Sequence, residues 1–312
     1  MPSLATLTDR RFSDPEWIFE RKLDGVRCLV FRRGGGVSLM SRNRKTLGNH
    51  YPELVEAVAE QRTDRFIADG EIVAFERGRT SFSRLQGRMQ LSDPDAARRT
   101  GIAVFLYLFD LLYVDRCETT GLELRDRKRL LREELSFIGP LRLMSHRNAE
   151  GEAYYREACR RGWEGVIAKR ASATYVHGRS QDWLKFKCEN QQELVIVGFT
   201  DPRGGRRHLG ALLVGYYEQG KLRYAGKVGT GFDEATLELL GGRLGRLERD
   251  SSPLDGEGPR ERGVHWVRPK LVAEVGFTEW TRDGRLRHPR YLGLRADKSA
   301  REVVRERPAA EA

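Results

Sequence analysis

Glu20-Arg21-Lys22-Leu23-Asp24-Gly25-Val26-Arg27 runs directly into the apolar stretch Cys28-Leu29-Val30-Phe31. Asp24 and Gly25 suit a turn, so Lys22 is expected on a turn that opens a strand. Arg27 then aims an always-charged fork at whatever the lysine faces. A lysine that serves as a nucleophile must first lose a proton. At an unperturbed pKa of about 10.4, roughly a few molecules in ten thousand are neutral at pH 7. Burial and nearby cations such as Arg27 lower that value and make a usable amine. Taken alone, Lys-x-Asp-Gly is most simply a surface turn; its weight comes from the rest of the chain.

On either side of this stretch, residues 14–19 read as a turn leading into it, and the glycines of Arg33-Gly34-Gly35-Gly36 suit a hairpin between two strands. The second strand, residues 37–40, runs into Ser41-Arg42-Asn43. Residues 52–61 read as a helix with Pro52 in its first turn. Residues 66–75 read as two apolar strand halves interrupted by Asp69-Gly70-Glu71. An acid in that setting must reach solvent or a cationic partner. A helix is predicted over residues 82–89 and a buried strand over 102–114, the latter ending Phe109-Asp110-Leu111-Leu112. Residues 124–135 and 152–161 read as exposed basic helices. Glu164-Gly165 opens another short apolar strand, Val166-Ile167-Ala168-Lys169-Arg170, and residues 175–180 form a loop. In Trp183-Leu184-Lys185-Phe186-Lys187 the period of two places Lys185 and Lys187 on one strand face.

A chain of 312 residues exceeds one typical core, so two domains are expected. The polar stretch 188–193 is the expected hinge, giving domains 1–188 and 189–312. Beyond it come short strands over 194–199, 211–217 and 222–228. A helix capped by Asp233 follows, then a Pro/Gly/charge-rich loop over 248–263 and further strands over 264–266 and 271–279. That pattern suggests a small, partly open barrel of the oligonucleotide-binding type. Lys and Arg number 56 against 45 Asp and Glu, a net charge of +11 that fits a polyanionic partner, although arginine-rich composition contributes to it. No stretch is apolar for long enough to span a bilayer and no secretory signal is evident at the N-terminus, so a cytoplasmic protein is expected. The four cysteines stand singly, which points to neither a zinc site nor a disulfide framework.

Lys22-Leu23-Asp24-Gly25-Val26-Arg27, Ser41-Arg42-Asn43, Asp69-Gly70-Glu71, Phe109-Asp110-Leu111-Leu112, Glu164 to Lys169, Lys185-Phe186-Lys187 and Arg295-Ala296-Asp297-Lys298 follow one another in order. In that order and approximate spacing the chain resembles the covalent nucleotidyltransferases. It is most similar to ATP-dependent DNA ligases of the bacterial end-joining kind, over nearly its whole length. The resemblance implies an α+β chain: an adenylation (nucleotidyltransferase) domain of antiparallel sheets with flanking helices, then an OB-fold β-barrel. It implies Lys22 as the nucleophile that accepts AMP from ATP, with Asp24, Lys185 and Lys187 as further catalytic residues. Glu71 and Glu164 would hold Mg²⁺ or Mn²⁺. Glu20 would read the amino edge of adenine and Phe109 would stack on it. Arg27, Arg42 and Arg179 would contact ribose and phosphate, as Glu71 and Lys185 also would. Arg295, Asp297 and Lys298 would orient the pyrophosphate leaving group, the barrel swinging over the nucleotide and away again.

The implied enzyme is a monomeric DNA ligase (ATP), of the EC 6.5.1.1 type. Its substrate is nicked double-stranded DNA, its setting is DNA repair and recombination by end joining, and a Ku-type end-binding protein is a candidate partner. An RNA-capping guanylyltransferase or an RNA ligase would share the lysine motif. The extended Trp183–Lys187 pattern and the Arg295 series look more like DNA ligase than a capping enzyme, and an RNA ligase would usually lack the barrel. A non-catalytic nucleic-acid-binding relative is disfavoured because every chemical position is intact.

Overall fold

The computed structural model describes residues 1–202, 208–259 and 261–308. Residues 203–207 and 309–312 of the expected second domain, and residue 260 of its long loop, lie outside the described residues. The chain divides into two compact units, Met1–Cys188, to which Arg307 and Pro308 also belong, and Glu189–Glu306. Among the described residues no helix is long and apolar enough to cross a membrane.

The first unit begins with β1 (Leu4–Leu7), β2 (Trp17–Lys22), β3 (Val26–Arg33), β4 (Gly36–Ser41) and α1 (Pro52–Ala59). There follow β5 (Arg65–Glu76), β6 (Arg79–Thr80), α2 (Phe82–Met89), α3 (Pro94–Arg99), β7 (Val104–Val114) and β8 (Cys117–Glu118). The unit closes with α4 (Leu124–Glu134), β9 (Leu141–Leu143), β10 (His146–Asn148), α5 (Gly151–Arg160), β11 (Gly165–Arg170) and β12 (Arg179–Lys187). These strands make two sheets. One is five-stranded in the order β1-β12-β11-β2-β10, and the other runs β4-β3-β5-β7-β8 with β6 and β9 added.

Alternation along each strand sends one set of side chains to an outer core and the other set inward. Behind the larger sheet, Val26, Cys28, Val30, Ala68 and Ile72 pack with Leu54 and Val58 of α1, Leu85 of α2 and Leu131 of α4. Behind the smaller sheet, Phe19, Val166, Ala168 and Phe186 pack against Tyr154 and Ala158 of α5. Each fully buried Val, Leu, Ile or Phe side chain among these contributes roughly 1.5–3 kcal/mol. A third cluster joins the two inner faces, with Leu23, Val73, Phe109, Leu112, Met144, Tyr175 and Trp183.

Several expectations need correction. Lys22 closes a strand rather than opening one, because the presumed turn over 14–19 becomes strand from Trp17 and pairs on both sides with β10 and β11. Residues 66–75 are not two halves but the middle of one 12-residue strand, β5. Asp69 does not interrupt it because Arg27 supplies the cation that its burial demands. The basic helix α4 is not simply exposed: Arg127 and Lys128 are buried. The loop expected over 175–180 ends at Gly178, and β12 starts at Arg179. The two units divide inside the expected hinge 188–193, but that stretch is strand from Asn190, which pairs with Phe277. Cys159, at the end of α5, is bonded to Cys188, a pairing across 29 residues that single cysteines did not announce.

The second unit comprises β13 (Asn190–Thr200), β14 (Leu212–Glu218), β15 (Lys221–Val228), α6 (Glu234–Gly245) and β16 (Glu248–Arg249). It continues through β17 (Val264–Val267), β18 (Val272–Phe277), β19 (Glu279–Trp280), β20 (Leu286–Arg287) and β21 (Arg290–Leu294). β13 is the hub and pairs with β14, β17 and β18. Asp233 caps α6 as expected, its Oδ1 accepting from Thr236 N–H at 2.8 Å. Leu237, Leu240 and Leu244 of that helix enter the core of the unit.

Candidate active site

Strand register builds one inner face of the first unit. Across β2, β11 and β12, Lys22 lies beside Gly165 and Lys187, Glu20 beside Ile167 and Lys185, and Ile18 beside Lys169 and Trp183. Alternation therefore brings Glu20, Lys22, Lys169, Lys185 and Lys187 to one face while Phe19, Val166, Ala168 and Phe186 fill the core behind it. On the larger sheet, Arg27 lies beside Glu71, which in turn lies beside Tyr107.

The Lys22 ammonium is paired with the Glu164 carboxylate, with side-chain exposures of 20% and 9%. Two glycines make this approach possible. A Cβ on Gly165 would lie 1.9 Å from the Phe186 carbonyl oxygen, and its φ of +152° is a conformation that other residues rarely adopt. A Cβ on Gly25 would lie 2.2 Å from the Ile72 carbonyl oxygen, so the turn after Lys22 can be pressed onto β5 only without a side chain. Asp24, expected among the catalytic residues, ties that turn to α2: its Oδ2 accepts from Phe82 N–H at 3.2 Å.

Arg27 makes a forked pair with buried Asp69 at 2.5 and 2.6 Å, and the Tyr175 hydroxyl donates to the same carboxylate at 2.5 Å. Burial alone would lower the Arg27 pKa, but Asp69 outweighs it and holds the guanidinium firmly charged. Burial and the adjoining Asp69 carboxylate push the Tyr175 phenol well up. Arg27 also lies over the Phe109 ring, 4.7 Å from its centroid.

Phe109 is 6% exposed and has a second cation against it, Lys169, whose Nζ lies 4.2 Å from its centroid and 3.9 Å from that of Trp183. Lys169 is paired with Glu20 at 2.7 Å, and Lys128 of α4 approaches the other oxygen of Glu20 at 2.5 Å. Burial would raise the Glu20 pKa, but the two lysines more than offset it and hold the carboxylate below its usual range. Burial presses Lys169 down to about 8 despite the attraction of Glu20. Glu20 Oε1 and Lys169 Nζ are both buried, Oε1 held by Lys128 and Nζ by the other Glu20 oxygen. An acceptor and a donor therefore stand side by side with hydrogen-bonding capacity left over.

Of the residues expected from the sequence, Glu20, Lys22, Arg27, Glu71, Phe109, Glu164, Lys185 and Lys187 all belong to these facing strands or their mouths. Arg42 lies in the turn just after β4, half-buried. Arg179 does not join the Lys185–Lys187 end: it begins β12, is exposed, and donates to the Ala5 carbonyl at 2.6 Å. In the second unit, Arg295 forks onto Asp297 at 3.0 Å twice and reaches Glu274 at 3.1 Å, while Lys298 pairs with Glu193 at 2.8 Å. Sequence reasoning missed Asp69, Lys128, Lys169, Tyr175 and Trp183. Asp69 carried a signal as an acid inside an apolar strand, and Lys169 another, since alternation from Gly165 places it on the same face as Ile167.

Among the described residues no three His, Cys, Asp or Glu side chains cluster as a metal cage. Glu71 and Glu164 are hard oxygen donors. Donors of that kind suit a hard divalent cation that keeps most of its own water rather than one enclosed by protein.

Comparison with known proteins gives a consistent picture. Residues 2–187 match the family model described as "ATP dependent DNA ligase domain", and residues 205–298 match "ATP dependent DNA ligase C terminal region". The chain is 40% identical to the multifunctional non-homologous end joining protein LigD of Pseudomonas aeruginosa, over 99% of the chain and 37% of that protein. It is 40% identical to LigD of Mycobacterium tuberculosis, over 93% of the chain and 38% of that protein. It thus spans well under half the length of these curated relatives. A solved structure described as mycobacterial DNA ligase D complexed with ATP and MES superposes with a TM-score of 0.70 at 36% identity, covering 98% of each chain. The nucleotidyltransferase and OB folds expected from the sequence agree with that match.

Proposed function

This chain belongs to the ATP-dependent DNA ligase family, and from that premise we propose that it seals nicks between a 5′-phosphate and a 3′-hydroxyl in duplex DNA through a lysyl-AMP intermediate. The observation that carries the reading is Lys22 held against Glu164 on the face it shares with Lys185 and Lys187. Lys22 Nζ, once it has shed its proton, attacks the α-phosphorus of ATP. An N–P bond forms and the bond to pyrophosphate breaks. Glu164, against the ammonium, orients it. Lys185 and Lys187 neutralise the α-phosphate oxygens as charge shifts, an electrostatic task suited to phosphoryl transfer, which leaves little covalent work to other side chains. Asp24 acts through the backbone, fixing the turn that follows the nucleophile.

For the base, Glu20 Oε1 and Lys169 Nζ offer an acceptor beside a donor, the complement of the 6-amino group and N1 of adenine, with Phe109 as the stacking ring. Arg27, Arg42 and Glu71 are assigned to ribose and phosphate, and Arg179, placed away from them, is not. Arg295, Asp297 and Lys298 are assigned to phosphate chemistry in the second unit. Glu71 and Glu164 would hold the divalent ion, which when bound offsets negative charge on the phosphates. AMP then passes to the 5′-phosphate at a nick, and the 3′-hydroxyl attacks and releases it. End joining, with a Ku-type partner, is the proposed setting.

The test is intact-mass spectrometry of the chain with ATP and Mg²⁺. One AMP is expected on Lys22, with none on Lys22→Ala. Label taken up from GTP and not from ATP would replace this reading with a capping-type enzyme.

A further inference from the structure

Lys128 belongs to none of the seven motifs, yet it is one of the few buried lysines of the chain, 5% exposed. It sits in the second turn of α4, and its Nζ has two partners on two different sheets. One is Glu20 Oε1 on β2 at 2.5 Å; the other is the backbone carbonyl of Phe109 on β7, to which it donates at 3.3 Å. Its neighbour Arg127 locks the helix in place with a forked pair to Asp110 at 2.7 and 3.0 Å, both side chains fully buried, and with bonds to the Leu122 and Ala173 carbonyls.

We propose that Lys128 is the positioning residue for base recognition: one ammonium fastens the carboxylate that reads the edge of the base to the residue whose ring covers its face. The proposal rests on the reading of Glu20 and Phe109 given above and extends it to a residue outside the motifs.

The physical argument has two parts. The first is geometric. Glu20 and Phe109 lie on separate sheets, and Lys128 contacts both, so it is a direct link between edge reader and stacking ring. Hydrogen-bond discrimination falls off steeply with misalignment, so holding the two parts in register is what makes the edge contact selective. The second is a division of charge. The groups facing Glu20 are Lys128 from α4, Lys169 from β11 and His146, its register partner on β10. With Lys128 as counter-ion to one oxygen, Lys169 is not the sole neutraliser of the carboxylate. Without Lys128, Lys169 becomes that sole counter-ion and is drawn toward Glu20, off the Phe109 and Trp183 rings.

The probe is self-adenylation by the full chain, comparing ATP with the purine ribonucleoside triphosphate that lacks only the 6-amino group. Wild type is expected to favour ATP. Lys128→Met is expected to raise the ATP KM about tenfold with kcat changed less than about threefold, and to shrink the preference for the 6-amino group by a similar factor, the scale of one charge-assisted hydrogen bond. Lys128→Arg is expected to restore most of that preference. A loss of packing alone would not be rescued by Arg and would not depend on the 6-amino group. If Lys128→Met does not fold, as judged by its melting transition, Lys128→Gln carries the same comparison.

Glu20→Gln serves as the reference and is expected to weaken the preference as well. A preference unchanged in the Lys128 variant but weakened in Glu20→Gln overturns the role of Lys128 and leaves the Glu20 reading standing. A preference unchanged in both overturns the reading on which the inference rests.

Discussion

Two buried charge clusters, one in each unit, are composed in opposite senses. Around Glu20 in the first unit, one carboxylate is shared by two ammonium groups, Lys128 and Lys169, so the described ion pairs leave positive charge over. Around Arg295 in the second unit, the described ion pairs set two cations, Arg295 and Lys298, against three carboxylates, Asp297, Glu274 and Glu193. Both clusters are largely withdrawn from water, where unbalanced charge is costly. The difference teaches how a motif residue can be kept ready or kept still. A second ammonium leaves a donor standing beside the carboxylate it helps to neutralise. A surplus of acids immobilises an arginine, whose fork is filled by its own neighbours.

The largest stability effect belongs beside the first cluster. Arg127→Met leaves Asp110 as a fully buried charge without its partner, and a loss of about 3–5 kcal/mol is expected in denaturant unfolding. A loss below about 1 kcal/mol would mean that α4 does not depend on the pair, and would weaken the claim that it holds Lys128 in place.

A smaller effect, with a sign set by pH, belongs to the second cluster. Burial alone would raise the Asp297 pKa, but the Arg295 guanidinium outweighs it and holds the carboxyl below its usual range. A carboxyl of that kind contributes stability above its unfolded pKa, about 3.9, and loses it as pH falls through the lower folded value. Asp297→Asn should therefore lower stability by about 1–3 kcal/mol at neutral pH and by progressively less in acid. The check is a set of melting curves from pH 7 to pH 3 on both proteins. A deficit that stays constant with pH would refute the charge pairing.

The smallest effect serves as the baseline for both. Arg287 and Glu279 form an ion pair with more than half of each side chain exposed. Arg287→Ala should change unfolding free energy by less than about 1 kcal/mol. A larger change would show that exposure does not separate the buried clusters from ordinary surface pairs.

Much of this was legible in the chain. The hairpin at Gly34–Gly35, the helices over 52–59, 82–89 and 151–160, and the shared face of Lys185 and Lys187 all follow from local turn chemistry and periodicity. The acid in Asp69-Gly70-Glu71 required either solvent or a cationic partner, and the structure gives it Arg27. What stayed hidden depends on contacts distant in sequence. Residues 17–22 mix charged and apolar side chains, and only pairing with β10 and β11 makes them a strand. Arg127 and Lys128 look like solvent-facing charges until Asp110 and Glu20, on other elements, approach them. The bond between Cys159 and Cys188 joins positions whose spacing says nothing about their distance.

The alternation along β11 has a further consequence. Gly165, Ile167 and Lys169 sit on odd positions that face the site, and Val166 and Ala168 on even positions that face the core. The chemistry is thus encoded as parity. An insertion of one residue inside this strand would exchange the two sets, presenting methyl groups to a triphosphate and an ammonium to hydrocarbon, with composition almost unchanged. Loops can vary in length around such a strand, but the strand itself has to count in twos.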